Sequence, residues 1–321
     1  MRNLIVAAAF VLTASVSFAS DAPPAWAYGV PLTGSPPPNT PAPDDGSPKH
    51  LPGSSLAFTI PQIRDAFGPA DWFPGDHPTM PDVVAHGRRP DVRACSLCHY
   101  PNGKGRPENA GVAGLPVEYF LKTMADFRNG DRHSAESRKA NTNVMIAIAK
   151  GMSEDETRQA AEYFGAMKWT QWMKVVETDT VPKTRLAGGM FLTLEGNEKE
   201  PLGQRIIETP LDAEGTEVLR NPHSGFTVYA PVGSLKKGKA LVTTGAGKTQ
   251  QCGTCHGTDL RGLGPVPGLA GRSPSYLVRQ LYDMQHGTRK GTWTELMKPV
   301  VAKLSDEDLV AIAAYTASLE P

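Results

Sequence analysis

Cysteine is scarce in this 321-residue chain: there are four, and all fall into two CxxC pairs, Cys95/Cys98 and Cys252/Cys255. None is left over for a disulfide framework or for a free thiol nucleophile. Net charge is missing too, because 33 Lys and Arg balance 33 Asp and Glu. That balance excludes the global positive field used to gather nucleic acid or an anionic membrane surface. Long apolar runs are absent after the first twenty residues, so no later stretch can cross a bilayer. No Ser/His/Asp triad, glycine-rich phosphate loop or basic nucleic-acid patch stands out.

What the chain does carry is a short motif, twice: Cys95-Ser96-Leu97-Cys98-His99 and Cys252-Gly253-Thr254-Cys255-His256. CxxCH is the attachment pattern of a c-type haem. Two thiols three positions apart reach the two vinyl groups of one porphyrin and form thioethers, and the next histidine becomes the proximal iron ligand. The alternatives are a zinc site, a disulfide or a redox-active CxxC. Zinc would have to use the sequence neighbours Cys255 and His256 on one tetrahedral ion, which is awkward. Two copies that consume every cysteine argue for two covalently bound haem c groups.

Met1-Arg2-Asn3 followed by Leu4 to Phe18, with Ser17 and Ala19 flanking a cut after Ala19, reads as a signal peptide over residues 1–19. Haem attachment takes place outside the cytoplasm, so export to the periplasm is expected, with no transmembrane segment in the mature chain. Residues 20–85 form a Pro-rich N-terminal extension holding 15 of the 29 prolines. Its first part, with Ser35-Pro36-Pro37-Pro38, reads as extended linker. Its second part is richer in aromatic residues and is expected to lie ordered against a haem domain. His50, His77 and His86 in that part are alternative metal ligands or surface groups. Charge is uneven: residues 1–85 hold three basic and seven acidic side chains, residues 234–321 eleven and seven.

The first haem domain is read over 86–182. It contains a helix from Val117 to Phe127 stopping at Asn129-Gly130, a polar loop leading to Met145, and a capped helix from Ser153 to about Trp172. Residues 183–233 read as a strand-rich linker or insert, with β-like runs at Phe191–Leu194, Arg205–Glu208 and Gly225–Tyr229. The second haem domain is read over 234–321. Its helices are expected from Leu235 to Thr244, from Tyr276 to Met284, and from Ser305 to about Leu319.

The two haem domains repeat one plan. Cys95 and Cys252 lie 157 positions apart, as do Tyr119 and Tyr276, Asp126 and Asp283, Gly130 and Gly287, and Arg132 and Arg289. The first copy then has five extra residues, and an offset of 152 pairs Met145 with Met297, Ser153 with Ser305 and Tyr163 with Tyr315. Of the ten methionines, Met124, Met152 and Met284 fall opposite leucine or phenylalanine and read as core. Met145 and Met297 alone match each other, each in the segment before the last helix, and are the expected distal ligands. His133, in the inserted segment, competes in the first domain. Gly264-Pro265 and Arg106-Pro107 stand where a loop carbonyl is expected to orient each histidine.

CxxCH, the following Gly-Pro, the Tyr-Leu…Gly-x-Arg helix and a Met seven residues before Leu304-Ser305-Asp306-Glu307-Asp308 resemble the class I c-type cytochromes. The closer resemblance is to the dihaem cytochrome c4 family, over about 86–180 and 234–321. It implies a mainly α fold of two class I cytochrome c-like helical haem domains in tandem, relaying single electrons in the periplasm. Carried over by residue, it implies that Cys252, Cys255, His256 and Met297 serve one haem, and Cys95, Cys98, His99 and Met145 the other. Arg106 in place of a glycine, the five-residue insertion, the N-terminal arm and the strand-rich insert depart from the family pattern.

Three functions follow. The first is an electron carrier between periplasmic redox proteins: a dehydrogenase, a quinol-oxidising complex or a terminal oxidase. The second is a dedicated subunit of a dehydrogenase complex, docking through the arm and insert. The third is a dihaem oxidoreductase, which needs one open iron and is disfavoured by the matched methionines.

Overall fold

The computed structural model describes residues 22–31 and 44–321. The signal peptide read over 1–19 and the proline run at 36–38 lie outside the described residues. The fold is mainly α, built as two helical halves joined by a strand-bearing segment.

In the first half, Cys95–His99 forms the short helix α1, Val117–Asn129 α2, Ala140–Gly151 α3 and Glu154–Gly165 α4. α2 ends where expected because Gly130 adopts the left-handed conformation, φ 81°, and its N–H reaches back to Asp126 and Phe127 carbonyls. α4 starts on a capping box in which Ser153 and Glu156 bind each other's backbone N–H. These helices bury Met124, Phe127, Ile148, Ala160 and Phe164 against one another. Each of the large side chains among them, Ala160 excepted, contributes roughly 1.5–3 kcal/mol.

Two helix expectations change. α4 stops at Gly165, short of Trp172. Beyond it the chain turns so that Trp169 stacks under Arg272, 3.9 Å from the guanidinium carbon, and Trp172 donates to the Gly271 carbonyl. Met145 lies inside α3, not in a loop. The repeat partner of Ala147 is Pro299, two residues after Met297. Proline lacks an N–H and restricts the residue before it, so the second copy breaks where the first continues as helix.

In the second half, Ser234–Thr244 is α5, Gly253–His256 α6, Pro274–Gln285 α7 and Asp306–Ala317 α8. α8 is buried on nearly every side, Ala311 to Ala314 included. α5 crosses it at Gly238, where a Cβ would stand 2.0 Å from the Ala311 carbonyl oxygen. Only glycine permits that approach.

The connecting segment starts its strands at Met173. β1 (Met173–Glu177) pairs in parallel with β3 (Phe226–Ala230), which pairs antiparallel with β2 (Ile207–Pro210). Glu208 of β2 is buried and accepts hydrogen bonds from Ser273 and Ser275, tying this sheet to the start of α7. The described arm packs on both halves. Ser96 and Ala94 donate to the Val84 and Ala66 carbonyls, and Trp72 donates to Leu219. Tyr28 is fully buried and donates to Asp283 at 2.7 Å. Among the described residues no helix is long and apolar enough to cross a membrane.

Candidate haem centres

Helical geometry puts residues three and four apart on one face, so α1 presents Cys95, Cys98 and His99 together. His99 is 9% exposed, and its Nδ1–H donates to the Ala110 carbonyl at 2.8 Å, eleven residues on. His256 repeats the arrangement, donating to the Pro267 carbonyl at 2.7 Å across the same separation. The orienting carbonyls are therefore Ala110 and Pro267, three residues beyond Pro107 and two beyond Pro265. The loops must first turn back before a carbonyl can face the ring. In both cases Nε2 is left as the free ring nitrogen, which is what a ligating imidazole requires. Burial lowers both histidine pKa values, which favours the neutral ring.

Beside His99 lies a cavity of about 270 Å³. Its walls include Cys95, Cys98 and His99, the apolar side chains Val112, Phe120, Met124, Phe127, Ile148 and Phe164, and Met145 from α3. His133 also lines it, from an exposed position. In the second half, Met297 sits between a 3-10 turn at Thr292–Leu296 and a short helix at Lys298–Val301. It is partly buried against the core that includes Tyr282 and Leu309, and Cys252 packs on the same core.

These residues fit a covalently held haem. Burial pushes the Cys95 thiol up to about 12 and the Cys252 thiol up to about 11. A zinc site or a reactive CxxC needs thiolates, so this environment suits neutral sulfur. The histidines are aimed by carbonyls, and three methionines, Met124, Met145 and Met152, line the cavity, of which only Met145 has a methionine at the matching position of the second copy. A haem bound there supplies a one-electron Fe(III)/Fe(II) couple. His77 is engaged elsewhere: its ring contacts Asp71, the Pro78 carbonyl and Tyr163, and the Asp71 carboxylate raises its pKa. Among the described residues no cluster of three His, Cys, Asp or Glu forms a further metal site.

Two groups near the sites were not singled out from the residues alone. One is the junction set Tyr119, Arg132, Tyr276 and Arg289, whose repeat spacing was visible but whose crossing over between halves was not. The other is Lys139, buried at the cavity with nothing in its local sequence to mark it.

Comparison with known proteins identifies c-type cytochromes as relatives of the chain. Residues 235–315 match the family model of cytochrome c oxidase, cbb3-type, subunit III. Cytochrome c-554(548) of Halomonas halodenitrificans is 46% identical over 24% of this chain and 93% of its own. The thiosulfate dehydrogenase electron acceptor of Stutzerimonas stutzeri is 25% identical over 73% of this chain and 82% of its own. Cytochrome c4 of Pseudomonas aeruginosa is 44% identical over 70% of this chain and 83% of its own length. The chain thus belongs to the cytochrome c4 family, and is a dihaem c-type cytochrome that carries two covalently bound haem c groups and transfers single electrons.

Proposed function

We propose that this chain is a periplasmic electron carrier in which His99 and Met145 ligate one iron and His256 and Met297 the other. Thioethers at Cys95 and Cys98, and at Cys252 and Cys255, hold the two macrocycles. The haem domains span about 86–182 and 234–321, joined by the insert at 183–233 and preceded by the arm at 20–85. Residues 1–19 act as the export signal. The observation that carries the reading is the duplicated donor set: each motif histidine is oriented by a carbonyl eleven residues on, and each half offers one methionine at the same repeat position. Histidine and methionine together close the iron to substrates, and the thioether favours Fe(II), raising the potential.

The donor we favour is a dehydrogenase that oxidises a small sulfur compound. This rests on the similarity to the thiosulfate dehydrogenase electron acceptor, which extends over 73% of the chain, beyond a single haem domain. A quinol-oxidising complex is the other candidate donor, and a terminal oxidase the expected acceptor. An optical redox titration, followed by carbon monoxide added to the reduced protein, tests the ligation. Two haems that keep the weak red band of methionine-ligated ferric iron and ignore carbon monoxide support it. One haem that lacks the band and binds carbon monoxide overturns the Met145 assignment and favours an oxidoreductase with an open iron.

A further inference from the structure

Resting on the reading of the first cavity as a haem site, we infer that Lys139 is a propionate-binding residue: its ammonium holds a carboxylate of the first haem, and so positions that haem and sets its potential. Lys139 caps the start of α3, within the segment that is longer in the first copy than in the second. It is 3% exposed, lines the cavity that His99 and Met145 line, and its Nζ has no hydrogen-bond partner. Burying an ammonium unpaired is costly, so such a group points to an anion that belongs beside it. Burial, with Arg279 nearby, brings its pKa down to about 7.

Among the described residues no carboxylate of the protein bonds to Lys139; Glu108 lines the same cavity, acts on Lys139 through space, and has no directed hydrogen bond to either oxygen. Glu108 pairs with Arg106 at 2.6 Å, and Glu136, on the same stretch as Lys139, pairs with Arg138 at 2.6 Å. Asp283 accepts hydrogen bonds from Tyr28 and from the Ala135 N–H. Arg279, the neighbouring cation from α7, spends its donors on the Ala27 and Pro107 carbonyls. A haem c brings two carboxylates on the edge of the macrocycle away from its thioethers, and it is the anion this cavity is otherwise built to receive. The segment is held in place for the purpose. Asn141, two residues on, donates to Asn109, which precedes the carbonyl that orients His99. A cation beside a propionate favours the ferrous state less than a charge at the iron would, yet it opposes the added positive charge of Fe(III), so its removal lowers the potential.

The test uses the full-length protein loaded with haem, in wild-type, Lys139→Met, Lys139→Gln and Lys139→Arg forms. Haem content is counted by pyridine haemochrome, and both reduction waves are followed spectroelectrochemically. The wave displaced in Met145→His marks the first haem. Lys139→Met and Lys139→Gln are expected to shift the first haem toward the ferric state about tenfold, or about 59 mV for a one-electron couple, leave the second wave in place, and be restored by Lys139→Arg. If Lys139→Met loads only one haem, Lys139→Arg must keep two. An unmoved first wave in the loaded Met and Gln variants overturns the assignment. So does a change of spin state or new carbon monoxide binding, which would make Lys139 an axial ligand. Failure of the wild-type chain to carry two haems would instead overturn the underlying haem reading.

Discussion

Arg289 of the second half donates to the hydroxyl of Tyr119 in the first, 2.8 Å away. The repeat returns the favour: Arg132, which corresponds to Arg289, donates to Tyr276, which corresponds to Tyr119, at 3.1 Å. Gln280 accepts from both guanidinium groups, and Arg132 and Arg289 face each other in an antiparallel backbone bridge. The two halves are therefore joined by a near-twofold exchange in which each tyrosine is held by the arginine of the other copy. Duplication followed by self-complementary docking produces this pattern, as in any isologous contact.

Arg289 is buried and Tyr119 half-buried, so deleting the hydroxyl leaves a buried guanidinium donor short of a partner. Tyr119→Phe is expected to destabilise the protein by about 1–3 kcal/mol, and a double-mutant cycle with Arg289→Gln should give a coupling above about 0.5 kcal/mol. Additive losses in denaturant titration would mean that the bond does not couple the halves.

Tyr119 also carries a pH signature. Burial raises its phenol, but Arg289 and Arg132 outweigh burial and bring it down to about 8. A phenol whose folded pKa lies below its unfolded value near 10 adds stability that is complete above pH 10 and lost as pH falls through about 8. NMR of ring-labelled tyrosine in the reduced protein should show one resonance titrating near 8, and Tyr119→Phe should remove it. If all tyrosines ionise near 10, the arginines do not set this group.

Met145→Ala and Met297→Ala should each open one iron. Each variant is expected to bind carbon monoxide at a single haem, with that haem's ferric/ferrous equilibrium moved more than tenfold toward ferric, beyond about 59 mV. Haem content should stay at two, because the thioethers are untouched. A Met145→Ala protein indistinguishable from wild type would hand the distal role to His133 or another group.

Asp308 closes the capping box of α8 and pairs with Lys248 at 2.7 Å and Lys237 at 2.9 Å. Burial raises its carboxyl, but the Lys248 and Lys237 ammonium groups and the Ser305 N–H together hold it at about 2. Its contribution is therefore present above the unfolded value near pH 4 and is lost as pH falls through about 2. Asp308→Asn should cost about 1–3 kcal/mol at pH 7 and flatten the acid limb of the stability curve. Equal acid sensitivity in the variant would show that other carboxylates govern it.

At Gly238 the prediction is steric. A methyl group there meets the Ala311 carbonyl at 2.0 Å, and α5 must move off α8. Gly238→Ala is expected to lower stability by about 1–3 kcal/mol, read as a drop in thermal midpoint, although alanine is the better helix former. A rise in the midpoint would show that the crossing is loose.

Much of this protein was legible along the chain because the deciding interactions are local. The CxxCH spacing, the capping boxes at Ser153 and Ser305, and the glycine stops at Gly130 and Gly287 each depend on residues within about one turn of one another. The repeat offsets then singled out Met145 and Met297 without reference to any contact.

Other features depended on where distant residues meet. Which carbonyl orients each histidine was settled by how its loop folds back. The stop of α4 at Gly165 was set by Trp169 and Trp172 turning toward Arg272 and Gly271, about a hundred positions away in the chain. The register that hands Arg289 to Tyr119, and the burial that leaves Lys139 without a partner, exist only once both halves have docked. Sequence alone marked the two CxxCH motifs and the helical plan around them, because backbone propensity and covalent spacing act between neighbours. Tertiary structure alone decided how the halves join and which charges face the first cavity, because burial and pairing are properties of contacts that the linear order does not contain.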